Sequence, residues 1–262
     1  MIQHLLQLIW NQRKQNAWLW AELLLVSVFL WFLVDYLYVM GRTYTAPLGF
    51  DIRHTYSIVI SSLSERSPDY IPKEKRERPD GVHLLTALDR IRTYPGVESA
   101  CLTDGGMPYY MGSRNLVWRI DTLQVPCRYA FVTPEFFDVF RIYDKDGKTA
   151  SLKRAIEDNN SIVISADVET MNPGLSLLGQ KAYRGNVTDE IEETIRGISV
   201  PIRRHEYTKA EPNVYRALRL SRMEEGYYEG MIDAVRLCVR VRPDVDNADF
   251  PARFRKDMAE QL

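Results

Sequence analysis

Cysteine is scarce. Three residues, Cys101, Cys127 and Cys238, stand in a chain of 262, too few for a disulfide scaffold and without the paired spacing of a metal site. An excess of one sign of charge is also lacking: 34 Lys and Arg meet 35 Asp and Glu, a net charge of -1. That balance leaves no basic footprint for nucleic acid. The four histidines, His4, His54, His83 and His205, have no second ligand at i+3 or i+4. The sequence contains no G-x-x-x-x-G-K-[ST] phosphate loop, G-x-G-x-x-G turn, H-E-x-x-H or G-x-S-x-G, so nothing nominates a nucleophile, general base or cofactor cradle. The reading is a non-enzyme with no catalytic, cofactor-binding or metal residue assigned, and with its substrate-binding residues unidentified.

The polar runs have plainer readings. Asp244, Asp246 and Asp249 lack the glycine and distal glutamate of a calcium loop, and Asp246 is expected to cap the last helix. Asp144-Lys145-Asp146-Gly147 reads as a turn. Asn159-Asn160-Ser161 and Asn186-Val187-Thr188 match a glycosylation triplet, a pattern too short to carry function.

What the sequence does have is one long apolar run, AWLWAELLLVSVFLWFLVDYLYVM from Ala17 to Met40. As a helix rising about 1.5 Å per residue it exceeds a hydrocarbon core of about 30 Å. Leu23–Val34 is free of charge, Glu22 and Asp35 stand near the ends, and Trp18, Trp20, Tyr36 and Tyr38 mark the two interfaces. The two acids read either as tolerated flanking charges or as partners in a helix bundle. Its length, its aromatic ends and Arg42 argue for a retained anchor over a cleaved signal. Arg13 and Lys14 precede it, while Arg42 alone follows closely, so the N-terminus is expected in the cytoplasm and the bulk outside. Residues 1–16 form a cytoplasmic amphipathic stub; IQHLLQLIW within it reads as a helix on the membrane surface or as an extension of the span.

Beyond the span, Tyr56–Ser62 is a candidate strand and Ser64–Gly81 an exposed loop. The charges of Lys73–Arg78 read as a solvated surface. Val82, Leu84, Leu85, Leu88 and Ile91 repeat at helical spacing, and Pro95-Gly96 stops that helix before a strand at Val97–Thr103. Near residue 262 a matching piece appears: the alternating strand Leu237–Arg242, then a helix with Phe250, Phe254 and Met258 on one face. Between them lie short strands at Leu116–Ile120, Val125–Val132, Ser161–Ser165, Thr194–Pro201 and Ala217–Leu220. An aromatic plug of Phe136, Phe137 and Phe140 and a short helix at Asp167–Asn172 complete this stretch. The fold class is α+β, an N-terminal transmembrane helix followed by a two-lobed extracytoplasmic domain in which one lobe interrupts the other. Residues 41–103 with 235–262 make the first lobe, and 104–234 the β-rich insertion. Cys101 and Cys238 fall in strands of the first lobe and are expected to be buried free thiols, as is Cys127.

The succession FVTPEFFDVFRI (Phe131–Ile142), Gly147, SIVIS (Ser161–Ser165), LLGQK (Leu177–Lys181), IRGISVPI (Ile195–Ile202) and LCVRVRPDVDNADFPARFRKDMAEQL resembles the N-terminal half of ABC transporter permeases of the FtsX/MacB type, with their MacB-like periplasmic core domain. The likeness runs through essentially the whole chain in order. Gly147-Lys148 departs from the family's Gly-Arg, and Ser199–Arg219 carries more charge than the pattern leads one to expect. The resemblance implies a porter-like first lobe and a bacterial inner-membrane protein with its bulk in the periplasm. The partners it implies are a separate ABC ATPase subunit that binds ATP, a second permease copy in a dimer, a periplasmic or outer-membrane protein, and membrane lipid. It also implies three further membrane helices in full-length relatives, so the sequence is expected to be part of a longer protein or an unusually short relative. The function implied is coupling of ATP hydrolysis to movement of the periplasmic domain in efflux, lipoprotein release or mechanotransmission. The alternative is a single-pass sensor or adhesion protein with an extracytoplasmic ligand-binding domain.

Overall fold

The computed structural model describes residues 17–261 except 61–62, 69, 73–74, 111, 113, 186–189 and 228–231, and of the first sixteen residues only Gln7, Trp10 and Lys14. The stretch 2–10, read as a surface helix or an extension of the span, therefore lies largely outside the described residues, as do Arg13 and Asn186-Val187-Thr188. Contacts divide the chain into two units, Met1–Pro47 with Glu206–Thr208, and Leu48–His205 with Lys209–Leu262.

The first unit is dominated by α1 (Ala17–Thr45), which buries none of its residues. An apolar helix with no buried face is what a lipid environment demands, because every backbone group is satisfied within the helix. The helix outlasts the apolar run by five residues, and Thr45 donates its hydroxyl back to the Gly41 carbonyl at 3.0 Å.

The elements of the second unit are, in chain order, β1 (Thr55–Ile58), α2 (Asp80–Thr93), β2 (Val97–Asp104), β3 (Arg114–Ile120) and β4 (Leu123–Val132). There follow α3 (Phe136–Val139), α4 (Ala150–Ala155), β5 (Ser161–Ser165), α5 (Asp167–Met171), β6 (Lys181–Arg184) and β7 (Ile191–Ser199). Then come β8 (Asn213–Ala217), α6 (Leu220–Glu224), a 3-10 turn at Ile232–Ala234, β9 (Arg236–Val241) and α7 (Phe250–Gln261).

Among the described residues the strands form one sheet in the order β1-β9-β2-β4-β3-β6-β7-β5-β8. A parallel pairing of β4 with β8 closes the last six strands into a barrel. Closure removes two edges that would otherwise offer unpaired backbone groups. The other three strands form an arm in which β9 runs antiparallel to both β1 and β2. Arm and barrel join through two residue pairs, Thr103 with Val132 and Asp104 with Phe131. The lobe boundaries proposed at 104 and 234 fall beside this joint, within a single contact unit.

Three clusters form the core. Leu84, Leu88 and Ile91 of α2 meet Phe250, Phe254 and Met258 of α7 over one face of the arm. Cys101 and Cys238 of the opposite face join the Phe136, Phe137 and Phe140 plug with Leu152 and Ala155 of α4. Trp118, Cys127, Ile162, Ile164, Ile195 and Val214 belong to a third cluster contributed by the barrel strands. Each buried Phe contributes roughly 1.5–3 kcal/mol by leaving water. A bulge in β7 places Gly197 where an added Cβ would lie 2.8 Å from Val163 and 3.0 Å from Ala155, so α4 packs there only against a glycine.

Several expectations need correction. The strand expected at Tyr56–Ser62 ends at Ile58, where the register with β9 ends at Leu237; Ser61 and Ser62 lie outside the described residues. The strand expected at Ala217–Leu220 lies earlier, at Asn213–Ala217, and Leu220 begins α6. β6 was not anticipated. Of the charged run Lys73–Arg78, Arg76 is not merely solvated: its side chain is 15% exposed and pairs with Asp80 at 2.5 Å. Asp246 does not cap α7, which starts at Phe250; its carboxylate accepts from the Tyr56 hydroxyl and pairs with His54 Nδ1, each at 2.5 Å.

Candidate functional site

Two features of the second unit combine burial with charge. The first lies where the chain leaves α1. Gly49 adopts φ +83°, and a Cβ there would sit 2.1 Å from the Pro201 carbonyl oxygen, so only glycine fits this approach. The backbone on both sides is gripped: Leu48 O accepts from Arg203 N at 3.0 Å, and Asp51 N donates to Phe140 O at 2.8 Å. Arg240 completes the grip from β9. Its fully buried guanidinium donates to the carbonyls of Asp51 (2.5 Å), Arg53 (2.8 Å) and Val139 (2.7 Å). Burial holds this guanidinium below its ordinary range, helped by nearby Arg141 and opposed by Asp51. Three carbonyls from two chain segments thus converge on one side chain.

The second feature is a cleft of about 540 Å³. The end of β2 supplies Asp104, β3 Arg114, β4 Phe131, β6 Arg184, β7 Glu193 and β8 Arg216, while Arg219 and Arg222 flank and enter α6. Among the described residues five guanidiniums face two carboxylates, an excess of three positive charges. Glu193 is buried and fully engaged. Its Oε1 accepts from Arg216 Nε (2.7 Å), Arg216 Nη2 (2.6 Å) and Arg184 Nε (3.2 Å), and its Oε2 accepts from Trp118 Nε1 (3.1 Å). Bonded through both oxygens, Glu193 orients the two arginines. Arg216 also lies 4.9 Å from the Phe131 ring centre, a cation–π contact. Burial lowers its pKa, opposed by Glu193. Asp104 pairs with Arg114 at 2.8 Å, yet burial raises its carboxyl above the usual value.

No group of three or more His, Cys, Asp or Glu able to hold a metal occurs among the described residues. His54 is bound to Asp246, and the aromatic plug is core. The three thiols are buried and unpaired, and burial raises Cys127 to about 12. Sequence reasoning missed the cleft because its arginines come from strands far apart in the chain. The visible signal was the charge surplus over Ser199–Arg219, which contains Arg216 and Arg219.

No protein-family model and no curated protein sequence matches the chain. Among solved structures it is similar to a domain assigned to a permease protein from Porphyromonas gingivalis, at 19% identity, covering 67% of this chain and 68% of that one, with a TM-score of 0.47. It is similar to the periplasmic region of MacB from Actinobacillus actinomycetemcomitans, at 10% identity over 84% and 87% of the two chains, with a TM-score of 0.46. The extracellular domain of the noncanonic ABC-type transporter YknZ from Gram-positive bacteria is a third, at 12% identity over 74% and 85%, with a TM-score of 0.43.

Proposed function

We propose that the chain is a permease component of an ABC transporter of the FtsX/MacB type. In this reading α1 crosses the bacterial inner membrane with its N-terminus in the cytoplasm, and residues from about 45 onward lie in the periplasm. ATP is bound and hydrolysed by a separate ATPase subunit. The chain carries the resulting movement across the membrane to its periplasmic lobes, 41–103 with 235–262 and the inserted 104–234, in efflux, lipoprotein release or activation of a partner. A permease dimer and a periplasmic or outer-membrane partner belong to the same proposal.

The observation that carries it is the junction after α1. A helix able to span a bilayer runs, within a few residues, into backbone whose carbonyls at Leu48, Asp51 and Arg53 are held by Arg203 N and the Arg240 side chain. The gripped residues are the first of the second unit, and a domain that holds its entry segment to its own core carries displacement received there as one body. The sensor reading is favoured by a different observation, the charged cleft.

Two measurements test the transport reading. An alkaline phosphatase fusion after Gly49 should be active, which places the second unit outside the cytoplasm. Affinity capture of the tagged full-length chain from native membranes should co-isolate an ABC ATPase. An inactive fusion removes the topology, and capture without any ATPase favours the sensor.

A further inference from the structure

We propose that the arginine-lined cleft binds a small organic anion bearing a phosphomonoester group. This site rests on the cleft alone and not on the transport role. Its volume, about 540 Å³, falls in the range of about 300–1,000 Å³ typical of small-molecule sites and is far larger than an inorganic ion needs. Among the described residues its charge is uncompensated. Arg114 is matched by Asp104, while Arg184 and Arg216 share the single carboxylate of Glu193. The Arg219 guanidinium has no hydrogen bond or ion pair among the described residues, its carbonyl alone accepting from Arg222 N at 3.2 Å. The Arg222 guanidinium lies 5.4 Å from the Tyr227 ring centre and meets no carboxylate among them.

Such a surplus is costly to hold in a concave, partly dry site, where like charges repel more strongly than in water. A phosphomonoester brings between about 1.5 and 2 negative charges. Its oxygens match the planar guanidinium fork, which donates two parallel N–H bonds. Arg216 is already aimed and immobilised by Glu193 and Phe131, so part of the ordering cost is met before a ligand arrives. Arg184 spends only Nε on Glu193 among the described residues and keeps both Nη groups for a ligand. The apolar surfaces of Phe131, Ile191 and Ala217 suit the organic part. A polyanion such as nucleic acid would need a basic surface stripe, which the balanced composition denies it.

The phosphomonoester has two possible sources, a soluble phosphorylated compound and a lipid headgroup, and the test separates them. The full chain, in phosphatidylcholine nanodiscs, is titrated calorimetrically with sn-glycerol 3-phosphate and with soluble short-chain dihexanoyl phosphatidic acid. Saturable binding that weakens as salt is raised is expected. Comparable affinities assign a soluble ligand, and tenfold or tighter binding of the short-chain lipid assigns a lipid. The variant Arg219→Gln/Arg222→Gln, which spares the Glu193 network, should weaken either interaction at least tenfold with an unchanged melting temperature. Arg219→Lys/Arg222→Lys should fall between it and wild type, a comparison that stands even if the Gln variant folds poorly. Absence of saturable binding of both probes at millimolar concentration, or a Gln variant that binds like wild type, overturns the proposal.

Discussion

At the scale of single residues, Arg240 shows how a strand can hide a charge. LCVRVR alternates, which by itself suggests one apolar and one wet face, yet the second face meets the Phe136 plug and Arg240 is fully buried. Its charge survives because three carbonyls solvate it in place of water. Arg240→Met should therefore destabilise by about 3 kcal/mol or more, since hydrogen bonds to charged groups contribute roughly 1.5–3 kcal/mol each and the carbonyls are left unpaired. Urea unfolding of the full chain in detergent checks this, and a change below about 1 kcal/mol would mean that water replaces the guanidinium. Asp246 gives a pH signature. The Tyr56 hydroxyl, then His54, hold its carboxyl below the ordinary 3.8. A lowered acid stabilises the fold fully above its unfolded-state value and loses that contribution as pH falls through its folded-state value. The same bond raises Tyr56 to about 12, so at the alkaline end stability is present below pH about 10 and lost as pH rises through about 12. Asp246→Asn should lower the melting temperature at pH 7 and flatten both limbs of its pH profile. Retention of the full acid limb in that variant would assign it to other carboxylates.

At the scale of elements, the arm depends on α2 and α7 lying together across β9 and β2. Leu88 is 1% exposed among Leu84, Ile91, Leu102 and Val239. Leu88→Asp would bury a carboxylate with no partner, a cost of several kcal/mol. Hydrogen exchange should then show protection lost from α2, β1 and β9 before β3, β6 and β7; simultaneous loss everywhere would make arm and barrel one cooperative unit. Elements with strong periodicity were legible in the sequence, as α1, α2, β2, β5 and β9 show. Those set by distant partners were not. β6 has only Lys181–Arg184 to announce it and exists because β3 and β7 flank it. Asp246 resembled a cap because its true partners lie on and just before β1, about 190 residues earlier. The cleft was invisible for the same reason: Glu193, Arg184 and Arg216 acquire meaning only when β6, β7 and β8 meet.

At the scale of the whole molecule, the least predictable feature is the closure of the barrel by the parallel pair β4–β8, which no local pattern encodes. The arm has a complementary property. Its middle strand, β9, is the last strand of the chain, and it pairs Thr55 with Arg240 and Cys101 with Cys238. On the proposed topology the chain behind α1 is translocated in sequence order, which delivers β1, α2 and β2 long before the strand that joins them. A released chain truncated at residue 235 should lose residues 48–103 to added protease, whereas one that carries both β9 and α7 should resist; equal resistance would mean that β1 and β2 find another partner meanwhile. Under that proposed topology two sticky strand edges wait open until β9 emerges, an interval in which chaperones that hold unfolded chains would decide between maturation and aggregation.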